Sequence, residues 1–161
     1  MRNFENKQKI MRASGALSVL SGLMVAGYII GAVVFVIIVP DWDNLPGQSH
    51  TETLKMLLYF ALELAVWWNF WKFFRRLNNG HIFDAPTVGR LMTAGRWKLA
   101  EAIYLFTVWV MFSPHNLPGW GGQIDSVLGQ LGSFWTPLLI IFVAWLLREG
   151  QNLEEEQELT V

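Results

Sequence analysis

The stretch ASGALSVLSGLMVAGYIIGAVVFVIIVP, from Ala13 to Pro40, runs for 28 residues without an Asp, Glu, Lys or Arg. A helix needs about 20 mainly apolar residues to cross the hydrocarbon core of a bilayer, so this one is long enough. Two further stretches follow the same rule: Ala102–Ile124 is charge-free for 23 residues and Ser126–Leu147 for 22. A fourth, Leu54 to Phe74, is interrupted by Glu63. A central acid costs about 3 kcal/mol on the insertion scale, while each Leu, Phe or Val returns roughly 0.5 kcal/mol. Leu54, Leu57, Leu58, Phe60, Leu62, Leu64, Val66 and Phe70 together outweigh it. The competing assignment for this stretch is the core helix of a soluble protein.

The chain has 161 residues, 53% of them hydrophobic and only 16% charged, with nine tryptophans and eleven phenylalanines. Its net charge of −1 excludes a basic nucleic-acid-binding domain and charge-driven disorder. The absence of cysteine excludes disulfides, thiolate metal sites, cysteine catalysis and palmitoylation or prenylation. The expected fold is therefore all-α: a polytopic membrane protein with four transmembrane helices in one bundle. Residues 1–161 form a single integral membrane domain, with spans at about 13–39, 54–74, 92–113 and 126–147.

The basic side chains orient those spans. Arg2, Lys7, Lys9 and Arg12 precede the first span. Lys72, Arg75, Arg76, Arg90, Arg96 and Lys98 cluster around the connection 75–91, and Arg148 opens the tail 148–161. Lys55 alone sits at the other side, so eleven of twelve mark one face. The positive-inside rule makes that face cytoplasmic, N-in and C-in. Trp42, Trp120 and Trp135 then fall near outer ends of spans, and Trp67, Trp68, Trp71, Trp97 and Trp145 near inner ends, at headgroup level. The first apolar run exceeds the length of a signal-peptide core and no A-x-A-like site follows it, which predicts an uncleaved anchor.

Both outer connections carry the same tetrapeptide, Asn44-Leu45-Pro46-Gly47 and Asn116-Leu117-Pro118-Gly119. A duplicated hairpin and shared turn chemistry both account for it. In the inner connection, Asn78-Asn79-Gly80 supplies a glycine for a left-handed helix end. Asp84 fits the N-cap of the next helix, which predicts a start near Ala85, with Pro86 in the first turn. Phe83 and Val88 then occupy the two positions of a hydrophobic staple. Arg90, Arg96 and Lys98 suit anionic headgroups.

Glu63 and Glu101 are the candidate chemistry. Intramembrane acids are costly and mostly face a bundle interior. If both point inward they can share a proton or bind a cation. Otherwise Glu101 reaches Lys98 or Arg96, and Glu63 bonds to a tyrosine or serine across the bundle. Gly22, Gly27 and Gly31 lie in a ladder of small residues on the first span, which permits close packing within the bundle or self-association between copies. His50, His81 and His115 are scattered without ligand spacing, and no catalytic or phosphate-cradling motif occurs. No cofactor, metal or catalytic residue is assigned.

The run Arg76-Leu77-Asn78-Asn79-Gly80-His81-Ile82-Phe83-Asp84, continuing to Gly89-Arg90-Leu91 and Gly95, carries a wider signal. So does the carboxyl end, from Leu146-Leu147-Arg148-Glu149-Gly150 through Leu153-Glu154-Glu155 to Glu158-Leu159-Thr160-Val161. With four apolar spans, these stretches resemble the bacterial membrane proteins of domain-of-unknown-function family DUF2975. Asp84 stands where that pattern favours a small capping residue such as serine, a tolerated exchange. The resemblance implies a four-span protein of the inner membrane with no assigned activity. It also implies a regulatory pairing with small helix-turn-helix proteins.

The expected function is accordingly non-enzymatic: a regulatory or scaffolding protein of the bacterial inner membrane that contacts lipid but not nucleic acid directly. It would present Arg75, Arg76, Asp84, Arg90, Glu154, Glu155, Glu156 and Glu158 to a cytosolic partner or to lipid. The alternative is a proton- or cation-linked transport component using Glu63 and Glu101, as a homo-oligomer.

Overall fold

The computed structural model describes residues 2–38, 50–81, 84–112 and 129–158. Four long helices account for nearly all of them: α1 (Arg2–Ile38), α2 (His50–Asn78), α3 (Ala85–Phe112) and α4 (Trp135–Glu158). The protein is all-α. The repeated outer tetrapeptide, Trp42, Trp120, His115 and Phe83 of the proposed staple lie outside the described residues.

Each helix packs on the next in sequence, and the contacts fix an antiparallel register. Gly15 meets Asn78, Gly22 meets Trp71, and Gly31 meets Phe60 between α1 and α2. Between α2 and α3, Arg76 bonds to Thr87 and, near the opposite ends, the Tyr104 hydroxyl donates to the Lys55 carbonyl at 2.8 Å. Between α3 and α4, Gly95 meets Ile140 and Ile141. Phe73, Leu91 and Ala144 form the buried apolar centre shared by α2, α3 and α4, flanked by Phe70, Phe74 and Leu77.

The buried stripe of α2 runs Glu63, Val66, Asn69, Phe73. That is the spacing of one helical face, but half of its members are polar. Asn69 satisfies itself by donating to the Ala65 carbonyl at 2.8 Å, and on α1 Ser21 donates to the Leu17 carbonyl at 2.7 Å. Such bonds to the preceding turn let polar side chains sit in an interior without cross-bundle partners.

Two helical segments, Gln8–Ile37 and Gly129–Asn152, are long and apolar enough to cross a membrane. Only 11% of the most apolar window in each is buried. A core helix of a water-soluble fold would be mostly covered. Here Leu20, Leu23, Ile30 and Ile37 of α1, and Leu139, Phe142 and Leu146 of α4, face outward. The other two helices are less uniformly apolar: α2 is broken by Lys55, Glu63 and Asn69, and α3 by Arg96, Lys98 and Glu101.

The last apolar segment is not one continuous helix. A turn at Ser133–Phe134 separates residues 129–132 from α4. Pro137 is the physical reason: it cannot donate to the Ser133 carbonyl, and its ring crowds that carbonyl in a regular helix. Ser133 and Phe134 instead donate three residues back, to Gln130 and Leu131.

Candidate functional site

One lysine and two acids meet between α2 and α3. Tyr59 and Glu63 are one turn apart on α2, and Lys98 and Glu101 are three residues apart on α3, so each pair shares a face. The antiparallel register brings the faces together. Lys98 Nζ lies 2.9 Å from Glu63 Oε1 and 2.8 Å from each carboxylate oxygen of Glu101. An ammonium has three protons to donate, and three acceptors are in place. The Tyr59 hydroxyl donates to Glu63 Oε1 at 3.3 Å. Glu63 is 6% exposed and Glu101 4%, so the carboxylates depend on these partners rather than on water. No buried side-chain nitrogen or oxygen among the described residues lacks a partner.

Glu63 and Glu101 therefore do converge, but around a third residue. The place where a cation could sit between them is filled by the Lys98 ammonium. Lys98, expected at the headgroups, is turned into the bundle, because two carboxylates outbid a single solvated position. With all three groups ionised the cluster carries a formal charge of −1, and uptake of one proton makes it neutral. Its chemical capacity is the holding and release of a proton.

A second polar cluster closes the turn between α2 and α3. Gly80 has φ +87°, a left-handed conformation that favours glycine. It ends α2 in a Schellman arrangement: His81 N–H donates to the Arg76 carbonyl at 3.1 Å and Gly80 N–H to the Leu77 carbonyl at 3.0 Å. Asp84 caps α3, accepting the Thr87 N–H at 3.0 Å. Arg76 then joins the two helix ends. Its Nη2 lies 2.6 Å from Asp84 Oδ2 and its Nε donates to Thr87 Oγ1 at 3.1 Å. Thr87 is fully buried. Partial burial works to raise the Asp84 pKa, but the bonds from Thr87 and Arg76 and the guanidinium charge outweigh it and hold the carboxyl below its ordinary range.

The remaining candidates are dispersed. Arg76 and Asp84 are committed to each other, whereas Arg75 lies over the Trp71 ring at 5.6 Å and Arg90 is exposed on the first turns of α3. The side chains of Glu154, Glu155, Glu156 and Glu158 lie outside the described residues, although the α4 backbone runs through them as helix. Gly22 and Gly31 pack against aromatic rings of α2; Gly27 has open space where a Cβ would stand. The tightest glycine is one the small-residue ladder did not include. A Cβ on Gly95 would lie 2.7 Å from Ile141 Cγ1 and 3.3 Å from the Ile141 backbone nitrogen.

Comparison with known proteins gives a family and no more. The model of the family described as "Protein of unknown function (DUF2975)" matches residues 23–161, and the chain belongs to that family. No curated protein and no solved structure matches it.

Proposed function

We propose that this member of the DUF2975 family is a four-span protein of the bacterial cytoplasmic membrane with both ends inside, and that it is a non-enzymatic regulator or scaffold. In this reading the apolar outward faces of α1 and α4 meet lipid. Helices α2 and α3 cross with their charged groups neutralised against each other, as intramembrane ionisable groups must be. The lopsided placement of eleven of twelve basic residues supplies the orientation.

The observation that carries the scaffold role is the pre-built inner end. The Arg76–Asp84–Thr87 clamp locks the α2–α3 turn, and α4 continues beyond Leu147 to Glu158 as helix. At 1.5 Å per residue, that extension projects roughly 16 Å. A fixed turn beside a projecting acidic helix suits a cytosolic protein partner; the family resemblance adds helix-turn-helix regulators as the partner class. Deletion of Glu149–Val161 should abolish crosslinking to that partner while the chain stays inserted. Retained crosslinking would remove the tail from the account.

The buried cluster favours a second role, proton-linked transport through Glu63 and Glu101. Its proton form fits better than its cation form, because Lys98 occupies the cation position. In liposomes Glu63→Gln should stop proton flux and tail deletion should not. Unchanged flux in the Gln variant would exclude this role.

A further inference from the structure

Two arginines that neither the clamp nor the buried cluster uses converge on one cleft. Side chains on a helix lean towards its N-terminus. In the antiparallel pair α3–α4, Arg96 therefore leans towards the start of α3, and Arg148 leans back along α4 to meet it. Both line a cleft of about 380 Å³ between the two helices, walled by Val88, Gly89 and Met92 and closed by Gln151. The Thr93 hydroxyl, also in the wall, donates to the Gly89 carbonyl at 2.8 Å, which leaves the two guanidinium groups as the cleft's cationic donors. Among the described residues no carboxylate pairs with either arginine, in contrast to Arg76. Trp97 is 42% exposed and Trp145 51%, each on the same helix and within one turn of its arginine.

We propose that this cleft binds the phosphate of an anionic phospholipid headgroup. Guanidinium groups match phosphate oxygens with paired N–H donors. Basic pockets between helices at the inner membrane surface are the usual place for such a lipid. The exposed indoles supply the interfacial ring contacts a lipid has and a free anion lacks. Apolar surface continues from the cleft along α4 through Phe142 and Val143, where acyl chains would lie. The proposal rests on the membrane-spanning assignment above.

The test is lipid retention by the full chain. Wild type is reconstituted in phosphatidylcholine nanodiscs containing cardiolipin or phosphatidylglycerol, released into detergent, and weighed by native mass spectrometry. Wild type should keep one anionic lipid. Loss of both charges in Arg96→Gln/Arg148→Gln should lower occupancy roughly thirty-fold, from the typical contribution of basic residues at an anionic surface. Arg12→Gln/Arg75→Gln, on the same side but outside the cleft, should retain it. Arg96→Lys/Arg148→Lys guards against misfolding and should retain an intermediate amount. Equal retention in the Gln pair, or equal loss in the control pair, would overturn the proposal. Displacement of the lipid by millimolar inorganic phosphate would overturn the lipid as the ligand and leave a small-anion site. Failure of the chain to enter nanodiscs at all would instead contradict the membrane assignment.

Discussion

Replacing Lys98 by methionine removes the charge that holds two buried carboxylates while keeping a similar side-chain length. Removing one partner from a buried ion pair costs about 3–5 kcal/mol, because the other charge is left uncompensated. Lys98 is 26% exposed at its side chain, so water screens part of the loss, and the lower limit of about 3 kcal/mol is expected. That is more than a hundredfold in the ratio of folded to unfolded chain. If the cost comes from stranded carboxylates rather than lost packing, the triple variant Lys98→Met/Glu63→Gln/Glu101→Gln should recover to within about 1 kcal/mol of wild type. The assay is reversible unfolding in mixed dodecyl sulfate micelles, followed by tryptophan fluorescence; Trp67 and Trp71 on α2 sit close to the cluster in sequence. A single variant within about 0.5 kcal/mol of wild type, below the cost of any broken buried pair, would refute the reasoning. So would a triple variant as weak as the single one.

Other perturbations probe the helix ends and the closest crossing. Gly95→Ala should weaken the α3–α4 contact by about 1–3 kcal/mol, because the new methyl meets both Ile141 and its backbone. Gly27→Ala, in open space, should change micelle unfolding by less than about 0.5 kcal/mol. Asp84→Ala should cost about 1–2 kcal/mol through the lost cap and raise hydrogen exchange in the first turn of α3. Because the folded Asp84 carboxyl titrates below its unfolded range, its contribution is full above that ordinary range. It is lost as pH falls through the lowered value, and Asp84→Asn should abolish this part of the acid sensitivity. Gly80→Ala should cost about 1 kcal/mol for the left-handed backbone and Gly80→Asn less, read from the same unfolding curves.

Local signals in the sequence carried furthest. The Asn78-Asn79-Gly80 stop and the Asp84-Ala85-Pro86 start depend on residues within one turn, and α2 and α3 end and begin where those signals place them. Charge-free runs located the long apolar segments, but they carry no information on backbone geometry; Pro137 interrupts the last one even though its neighbours are oily. Side-chain partners depend on register between helices, which no single stretch contains. Glu63 stood out by its cost in an apolar run, yet its partner Lys98 looked like an interfacial base. A signal was available: Glu63 and Glu101 stand equally far, 19 residues, from Ile82 in the α2–α3 turn. Two antiparallel helices joined there must bring them to one level. Gly95 was invisible for the same reason, since its constraint comes from Ile140 and Ile141 on another helix.

Single-cysteine accessibility tests the four-span, both-ends-inside arrangement most directly, and the chain offers a background without cysteine. Leu45→Cys and Leu117→Cys mark the outer connections, Asn79→Cys and Gly150→Cys the inner side. In intact spheroplasts a membrane-impermeant maleimide should label only the first two, with the others labelled after permeabilisation. Labelling of Asn79→Cys in intact spheroplasts would contradict the arrangement.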